Sequence, residues 1–450
     1  MSLINHKATR RQFLGGTAVG LGSLVGAVSA GRPSRAAAAP SDPLHFIGWG
    51  YHPELVQANV EKFKTLYDEN VQYELISDYA SYPATLETRF IGGFRPDMLY
   101  AETSYMYRWM KAKFVQDVEA AKGLTHDPAW YRQNAFPANQ NEMSIDGKWM
   151  GLAYYAGYIS FIYNKELLDK ANLKPATTWE ELFTHCEQLK KDKISDHPFT
   201  MAWNKGAAGL TWASAAWFYS QGEYLFDDKN NPTFKDGGVA YKQVLEWMKM
   251  MFDKGYVPPD ALVDPNEEVP AFGTGEIAYM LIHDYDQQSL NTDTKAFKTA
   301  PNKVANAIIP GKTQTTYSWT TMLLMGADRS GDRLERAWNL LQFFGGQAKD
   351  NEWHGNATFA LETGLGNPWI PLNTDPKILD AWSKWRDMEV HNQQLKQSKS
   401  REVEKTMWFP EWDTYFQDQV GNYIQGKGSV DDVIKNTYDK AIELKKQYGE

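Results

Sequence analysis

Residues 149–163 read WMGLAYYAGYISFIY, a run without one charged side chain and apolar or aromatic on both alternations. Successive side chains of a strand point to opposite faces, so a strand with this pattern must be covered on both sides. The polar turn Asp146-Gly147-Lys148 releases the run, and Asn164-Lys165 ends it. A short helix through Leu167, Leu168 and Ala171 follows, then a loop with Pro175. Thr178 is placed as an N-cap, with Glu181 positioned to reach back to the Thr178 amide as a capping box. Trp179, Leu182, Phe183, Cys186 and Leu189 then recur on one helical face. The run is therefore expected to be a buried strand crossing between two bodies, followed by a small α/β unit.

The flanks fit two bodies. Upstream, strands are expected at 44–48, 71–76 and 97–100, with helices from Pro53 and over 81–90. This β-α-β-α-β alternation predicts an open, mostly parallel sheet flanked by helices. Ligands in such sheets bind beyond the carboxyl ends of the strands, here near Trp49, Ser81-Tyr82 and Glu102. Downstream, strands are expected at 199–203, 277–282, 305–309 and 318–324, with helices over 238–251, 333–344 and from Pro410. Ser429, with Asp432 three residues on, is placed to cap the last helix. Asp227-Asp228-Lys229-Asn230-Asn231 lacks the ligand spacing of a calcium loop and reads as a hairpin turn.

With 450 residues the chain can form two cores of ordinary size. Its first 39 residues carry five basic and no acidic groups, with Arg10-Arg11-Gln12-Phe13-Leu14 in a twin-arginine pattern. A weakly hydrophobic Gly/Ala-rich run and the small residues Ala36-Ala37-Ala38 follow, so residues 1–39 are expected to be a cleaved signal peptide for twin-arginine export to the periplasm. The remainder holds 42 basic against 56 acidic side chains, a net of −14, which argues against nucleic acid and anionic membrane surfaces as partners. Cys186 is the only cysteine, so the chain can build no internal disulfide or cysteine cluster. His52, His126, His283 and His354 lack metal-ligand spacing, and no cofactor motif is present; no metal or cofactor is expected. Seventeen Trp and 24 Tyr either fill the cores or, many of them, line a cleft, where a flat ring presents broad apolar area with few rotamers to freeze.

Gly147-Lys148, Gly151-Leu152, Tyr154-Tyr155, Gly157, Tyr163-Asn164-Lys165, Lys170-Ala171 and Thr178-Trp179-Glu180-Glu181-Leu182 together resemble a phrase of the extracellular solute-binding proteins of carbohydrate ABC transporters, the maltose-binding-protein-like family. Asp253-Lys254-Gly255-Tyr256-Val257-Pro258-Pro259-Asp260 extends the resemblance. It implies a two-lobe α/β fold of the type II periplasmic binding protein class, each lobe a mostly parallel sheet flanked by helices and joined by hinge strands. The expected lobes are 40–153 with 316–366, and 154–315 with 367–450. It also implies a monomer that binds a small carbohydrate in the interlobe cleft and delivers it to ABC permease subunits in the inner membrane.

By the same resemblance the ligand-binding residues are Trp49, Tyr51 and His52 after the first strand, Ser81 and Tyr82 after the second, and Glu102 and Thr103 after the third. Tyr155 stands at the hinge, Trp203 on the second lobe, and Ser318-Trp319 on the strand where family members read Gly-Gly-Trp. Around His283, Asp284 and Tyr285 the family's Ile-Asn-Gly-x-Trp is replaced, so its stacking tryptophan is missing. Either Tyr285 substitutes for that ring or a carboxylate replaces stacking by hydrogen bonds. The alternative function is an exported carbohydrate-active enzyme, since a pair such as Glu102 and Asp284 would serve a glycoside hydrolase. No nucleophile elbow, zinc-protease motif or dinucleotide fingerprint is present, so no catalytic residue is assigned.

Overall fold

The apolar run becomes one strand, Gly151–Asn164, in which only Ala156 and Tyr163 escape full burial. The computed structural model describes residues 42–205, 209–262 and 268–450, so the expected signal peptide, residues 1–39, lies outside the described residues. Asp42–Glu450 cluster as one unit. Its main strands are β1 (Leu44–Trp49), β2 (Val71–Ile76), β3 (Met98–Ala101), β4 (Gly151–Asn164), β5 (Phe199–Met201), β6 (Tyr279–His283), β7 (Val304–Ala307) and β8 (Thr316–Gly326). They lie in the order β2-β1-β3-β8-β4-β6-β5, with β7 also paired to β4.

Strand β1 runs parallel to β2 and β3, and β5 parallel to β6, as helical crossovers dictate. The four other pairings, β3–β8, β8–β4, β4–β6 and β4–β7, are antiparallel. The sheet is thus mixed rather than mostly parallel. The reason is that β4 and β8 do not enter by a crossover helix. They run side by side through the middle of the sheet, β8 pairing with β3 on one edge and β4 with β6 and β7 on the other. Residues 151–158 of β4 pair with β8, whereas 159–163 pair with β6. The β4–β8 register slips between Thr321 and Met322, a local bulge in the stretch shared by the lobes.

Local signals explain the rest of the frame. Helix α1 (Pro53–Tyr67) and helix α2 (Tyr82–Ile91) carry proline in their first turn, where no amide donor is needed. At helix α3 (Trp179–Lys191) the Thr178 hydroxyl accepts from the Glu181 amide at 3.1 Å. The Glu181 carboxylate takes its short bonds from the Thr177 amide (2.7 Å) and hydroxyl (2.9 Å), one residue before the amide expected. The box expected at Ser429 and Asp432 forms in both directions and starts the last helix, Val430–Tyr448. Cys186 is fully buried on the inner face of α3, where burial pushes its thiol well up from the ordinary range. Asp227 closes a turn by accepting from the amides of Lys229 (2.9 Å) and Asn231 (2.8 Å), a hairpin-type use of the acid.

Candidate functional site

The carboxyl ends of the parallel strands converge on two adjoining cavities. The larger, about 640 Å³, is walled by Trp49 at the tip of β1, Gly50 and Tyr51 just after it, and the 77–80 loop after β2. From the other side come Asn204 and Lys205 after β5, and His283, Tyr285 and Asp286 at the end of β6, with Tyr155 of β4 between. Its volume falls within the ordinary range of small-molecule sites. The smaller cavity, about 350 Å³, is lined by Glu102, Tyr105, Arg401, Glu404, Phe409 and Asp413 among others. Lys205 and Trp212 belong to both walls. Gly50 permits the approach of the first two loops, because a Cβ there would stand 2.5 Å from the Ser77 carbonyl oxygen.

Rings dominate the larger cavity. Tyr285 meets Tyr51 edge-on at 5.9 Å and Tyr155 edge-on at 5.9 Å, so the loops after β1 and β6 touch across the cleft. His283 stacks on Tyr285 with centroids 5.3 Å apart and a 4° interplanar angle. Behind this wall Trp212 packs on Trp319 at 4.4 Å. Burial keeps the hydroxyls of Tyr51, Tyr155 and Tyr285 far above their usual range, so all three remain neutral donors.

The smaller cavity is built on charge. Glu102 accepts from the Thr321 hydroxyl at 3.0 and 3.1 Å and from the Tyr79 hydroxyl at 3.2 Å. Burial pushes its carboxyl up to about 7 against the pull of these bonds. Asp413 is pushed up to about 6 by burial, opposed by the nearby Arg401. Arg401 forks onto Glu404 at 2.6 and 2.8 Å and lies over the Tyr317 ring at 4.5 Å. The Tyr317 hydroxyl completes the group by donating to Glu404 at 2.8 Å.

Of the residues expected at the site, Trp49, Tyr51, Tyr155, His283 and Tyr285 line the larger cavity and Glu102 the smaller. The others stand elsewhere. His52 is the exposed residue before α1, paired with Glu54 at 2.9 Å. Ser81, the residue after the lining loop, turns back and donates its amide to the Asp78 carboxylate at 3.2 Å. Tyr82 is fully buried and ties β1 to β3, donating to the Tyr100 carbonyl (3.0 Å) and accepting from the Tyr100 amide (3.1 Å). Thr103 is buried at the start of its helix, and Ser318 is buried opposite Tyr158. Trp203 packs into the core against Phe252 at 4.8 Å. Trp319 is 2% exposed and supports the wall from behind, flat over β4 at Gly157, where a Cβ would come within 3.1 Å of the indole.

Asp284 is 1% exposed and locked by Arg386 at 3.2 Å, a guanidinium that also donates to the Asp284 carbonyl at 3.1 Å. It lines neither cavity, so the paired-carboxylate arrangement of Glu102 with Asp284 is not assembled. Buried charges persist only when paired in this way. Asp284 instead fixes the turn that presents Tyr285 and Asp286. Sequence reasoning missed Asp78, Tyr79, Lys205, Trp212, Asp286 and the whole 401–417 contribution. Tyr79 and Asp286 were within reach of the strand-tip rule, being three residues beyond their strands. No local pattern marks Arg401, Glu404 or Asp413.

A model of the bacterial extracellular solute-binding protein family matches residues 58–361. The chain belongs to that family. A binding protein of Brucella abortus (strain 2308) is 25% identical to this solute-binding protein over 313 residues, covering 67% of this chain and 69% of its own. Among solved structures, maltose-bound MalE3 of T. maritima superposes with a TM-score of 0.76 at 19% identity, over 90% of this chain and 99% of its own. A D-mannitol-bound ABC transporter solute-binding protein of Agrobacterium vitis S4 gives 0.73 at 17% identity, over 90% and 99%. The two-lobe fold of this solute-binding protein is therefore that of the periplasmic binding proteins, with β4 and β8 as its shared strands.

Proposed function

We propose that this solute-binding protein is the substrate-binding component of a carbohydrate or polyol ABC importer. The observation that carries the reading is the larger cavity, where Trp49, Tyr51, Tyr155, Trp212 and Tyr285 bring flat rings beside the polar groups of Asp78, Asn204 and Asp286. A sugar has apolar C–H faces and hydroxyl edges, and this wall offers a partner for each. Tyr51 with Tyr285, and Trp49 with Trp212, come from segments on opposite sides of the cleft. The ligand then completes its contacts only when lobes 40–153 with 316–366 and 154–315 with 367–450 close on it. The superposable proteins that bind maltose and D-mannitol support the same ligand class.

In this reading the protein is a periplasmic monomer exported by the twin-arginine route, needs no cofactor, and presents its closed form to the permease without turning the ligand over. A thermal-shift screen with maltose, D-mannitol, ribitol and sugar acids tests it. A ligand at about 100 times its Kd adds about 2.7 kcal/mol and raises Tm by a few degrees. A screen in which amino acids or peptides shift Tm and no sugar or polyol does would refute the ligand class. Release of hydrolysis products from a bound oligosaccharide would transfer the protein to the enzymes.

A further inference from the structure

The wall of the larger cavity contains one polar ring whose surroundings satisfy only half of it. His283, the last residue of β6, has Nδ1 3.2 Å from Asp286 Oδ2. Its Nε2 is buried and has no hydrogen-bond partner. The ring cannot swing away to find one. Tyr285 covers one face at 5.3 Å, and Trp212 (5.7 Å) and Trp319 (5.3 Å) abut it edge-on. A buried nitrogen left unpaired is costly, and nothing in the packing of the wall asks for an imidazole there. An apolar side chain would fill the space without that cost.

We propose that His283 is a specificity-determining residue of the cleft, with Asp286 holding Nδ1 and leaving Nε2 to pair with an oxygen of the bound sugar or polyol. The inference rests on the carbohydrate reading above. Asp286 accepts from Nδ1–H in either charge state, which leaves Nε2 as a lone pair on the neutral ring and as a donor on the imidazolium. The groups that face the ring favour the second form. Burial works against the charge, but the bond to Asp286 and the charges of Asp286, Glu268 and Asp284 more than offset it, so His283 titrates above its ordinary 6.5. Glu102 is coupled to it in the same sense, and Lys205 is the cation on the shared wall. Asp284 is itself neutralised by Arg386.

Binding thereby becomes linked to protons. A charged donor makes a stronger bond to a ligand oxygen than a neutral ring does. Affinity is therefore full below the titration point of His283 and falls as pH rises through it. A periplasmic protein experiences the pH of its surroundings, so uptake would weaken as those surroundings turn alkaline.

Calorimetric titration of the exported protein with maltose, D-mannitol and ribitol at about pH 6 and about pH 9 tests the assignment, with His283→Gln and Asp286→Asn alongside. For the probe that binds, wild-type affinity should fall by about tenfold across this interval, while His283→Gln is weaker at the acid end and flat. Asp286→Asn keeps the ring but should move the midpoint of the fall to lower pH. A pH profile shared by wild type and His283→Gln, or an unmoved midpoint in Asp286→Asn, would overturn the assignment while leaving carbohydrate binding intact. Binding of none of the three probes would remove both. If His283→Gln does not fold, the Asp286→Asn midpoint alone separates the two outcomes: a shift to lower pH upholds the role of His283, and an unmoved midpoint overturns it.

Discussion

The two cavities of the cleft are made in different ways. The larger is walled mainly by residues that follow strands, and its rings stack on one another at little electrostatic expense. The smaller draws Arg401, Glu404 and Asp413 from a segment near the chain's end and holds carboxylates whose burial is resisted by solvation. A wall of rings tolerates substitution piecemeal, because dispersion and area are spread over many contacts. A buried ion cluster does not, because each charge is tolerable only through its partner. The first chamber is therefore expected to lose affinity when altered, and the second to lose stability.

Trp319 is the sharpest place to break this contrast, since it braces Trp212, the ring shared by both walls. At 2% exposure Trp319→Ala should cost about 3–5 kcal/mol of stability in the ligand-free protein, read by denaturant melting. A nearly unchanged melt with weakened sugar binding would put the indole back on the ligand surface. Arg401→Met comes next. It strands Glu404 and should cost about 3 kcal/mol, whereas Lys205→Met, whose pair with Asp418 is exposed, should cost under about 1 kcal/mol. Equal losses in the two variants would erase the distinction between a buried and an exposed ion pair on which the contrast rests.

The pH dependence of stability sharpens the same point. Glu102 titrates at about 7 in the fold against an ordinary 4.5, so its favourable contribution is complete below 4.5 and is lost as pH rises through 7. Glu102→Gln should match wild type in acid and exceed it by about 3 kcal/mol at alkaline pH, measured as the difference between their melts. A constant difference across pH would mean that the carboxyl is not titrating there. In the larger chamber, Tyr285→Ala should weaken binding of a responsive sugar by about 1 kcal/mol, read by calorimetry. The smallest effect is expected at His52, which points to solvent beside Glu54; His52→Ala should change neither affinity nor stability by more than about 0.5 kcal/mol. A larger loss of affinity would return it to the site.

The aromatic residues divide along the same line. Trp49 and Tyr155 sit at the tip of a strand and on the crossing strand, where a cavity wall is expected, and they line the cavity. Trp203 and Tyr82 occupy comparable sequence positions yet are buried, one against Phe252 and the other across Tyr100. A ring after a strand can turn inward or outward, and the neighbour that decides its direction is distant in sequence. Asp284 makes the case for charge. Next to His283 and Asp286 it looks like a third cleft group, and only Arg386, 102 residues away, turns it into a buried brace.

What the sequence determined by itself was the set of elements and their order. Uncharged double alternation required a covered strand over 149–163, which forms at 151–164, Thr178 and Ser429 started their helices, and β-α-β alternation set the parallel pairs. These follow from interactions within a few residues, where period, caps and turns act. Tertiary structure alone decided that β4 and β8 run together through both lobes, that the sheet is mixed, and that the 401–417 segment closes the second chamber. Those outcomes depend on which surfaces meet after the chain has folded back on itself, and burial, charge pairing and exposure at Arg401, Asp284 and Trp319 are set only at that meeting.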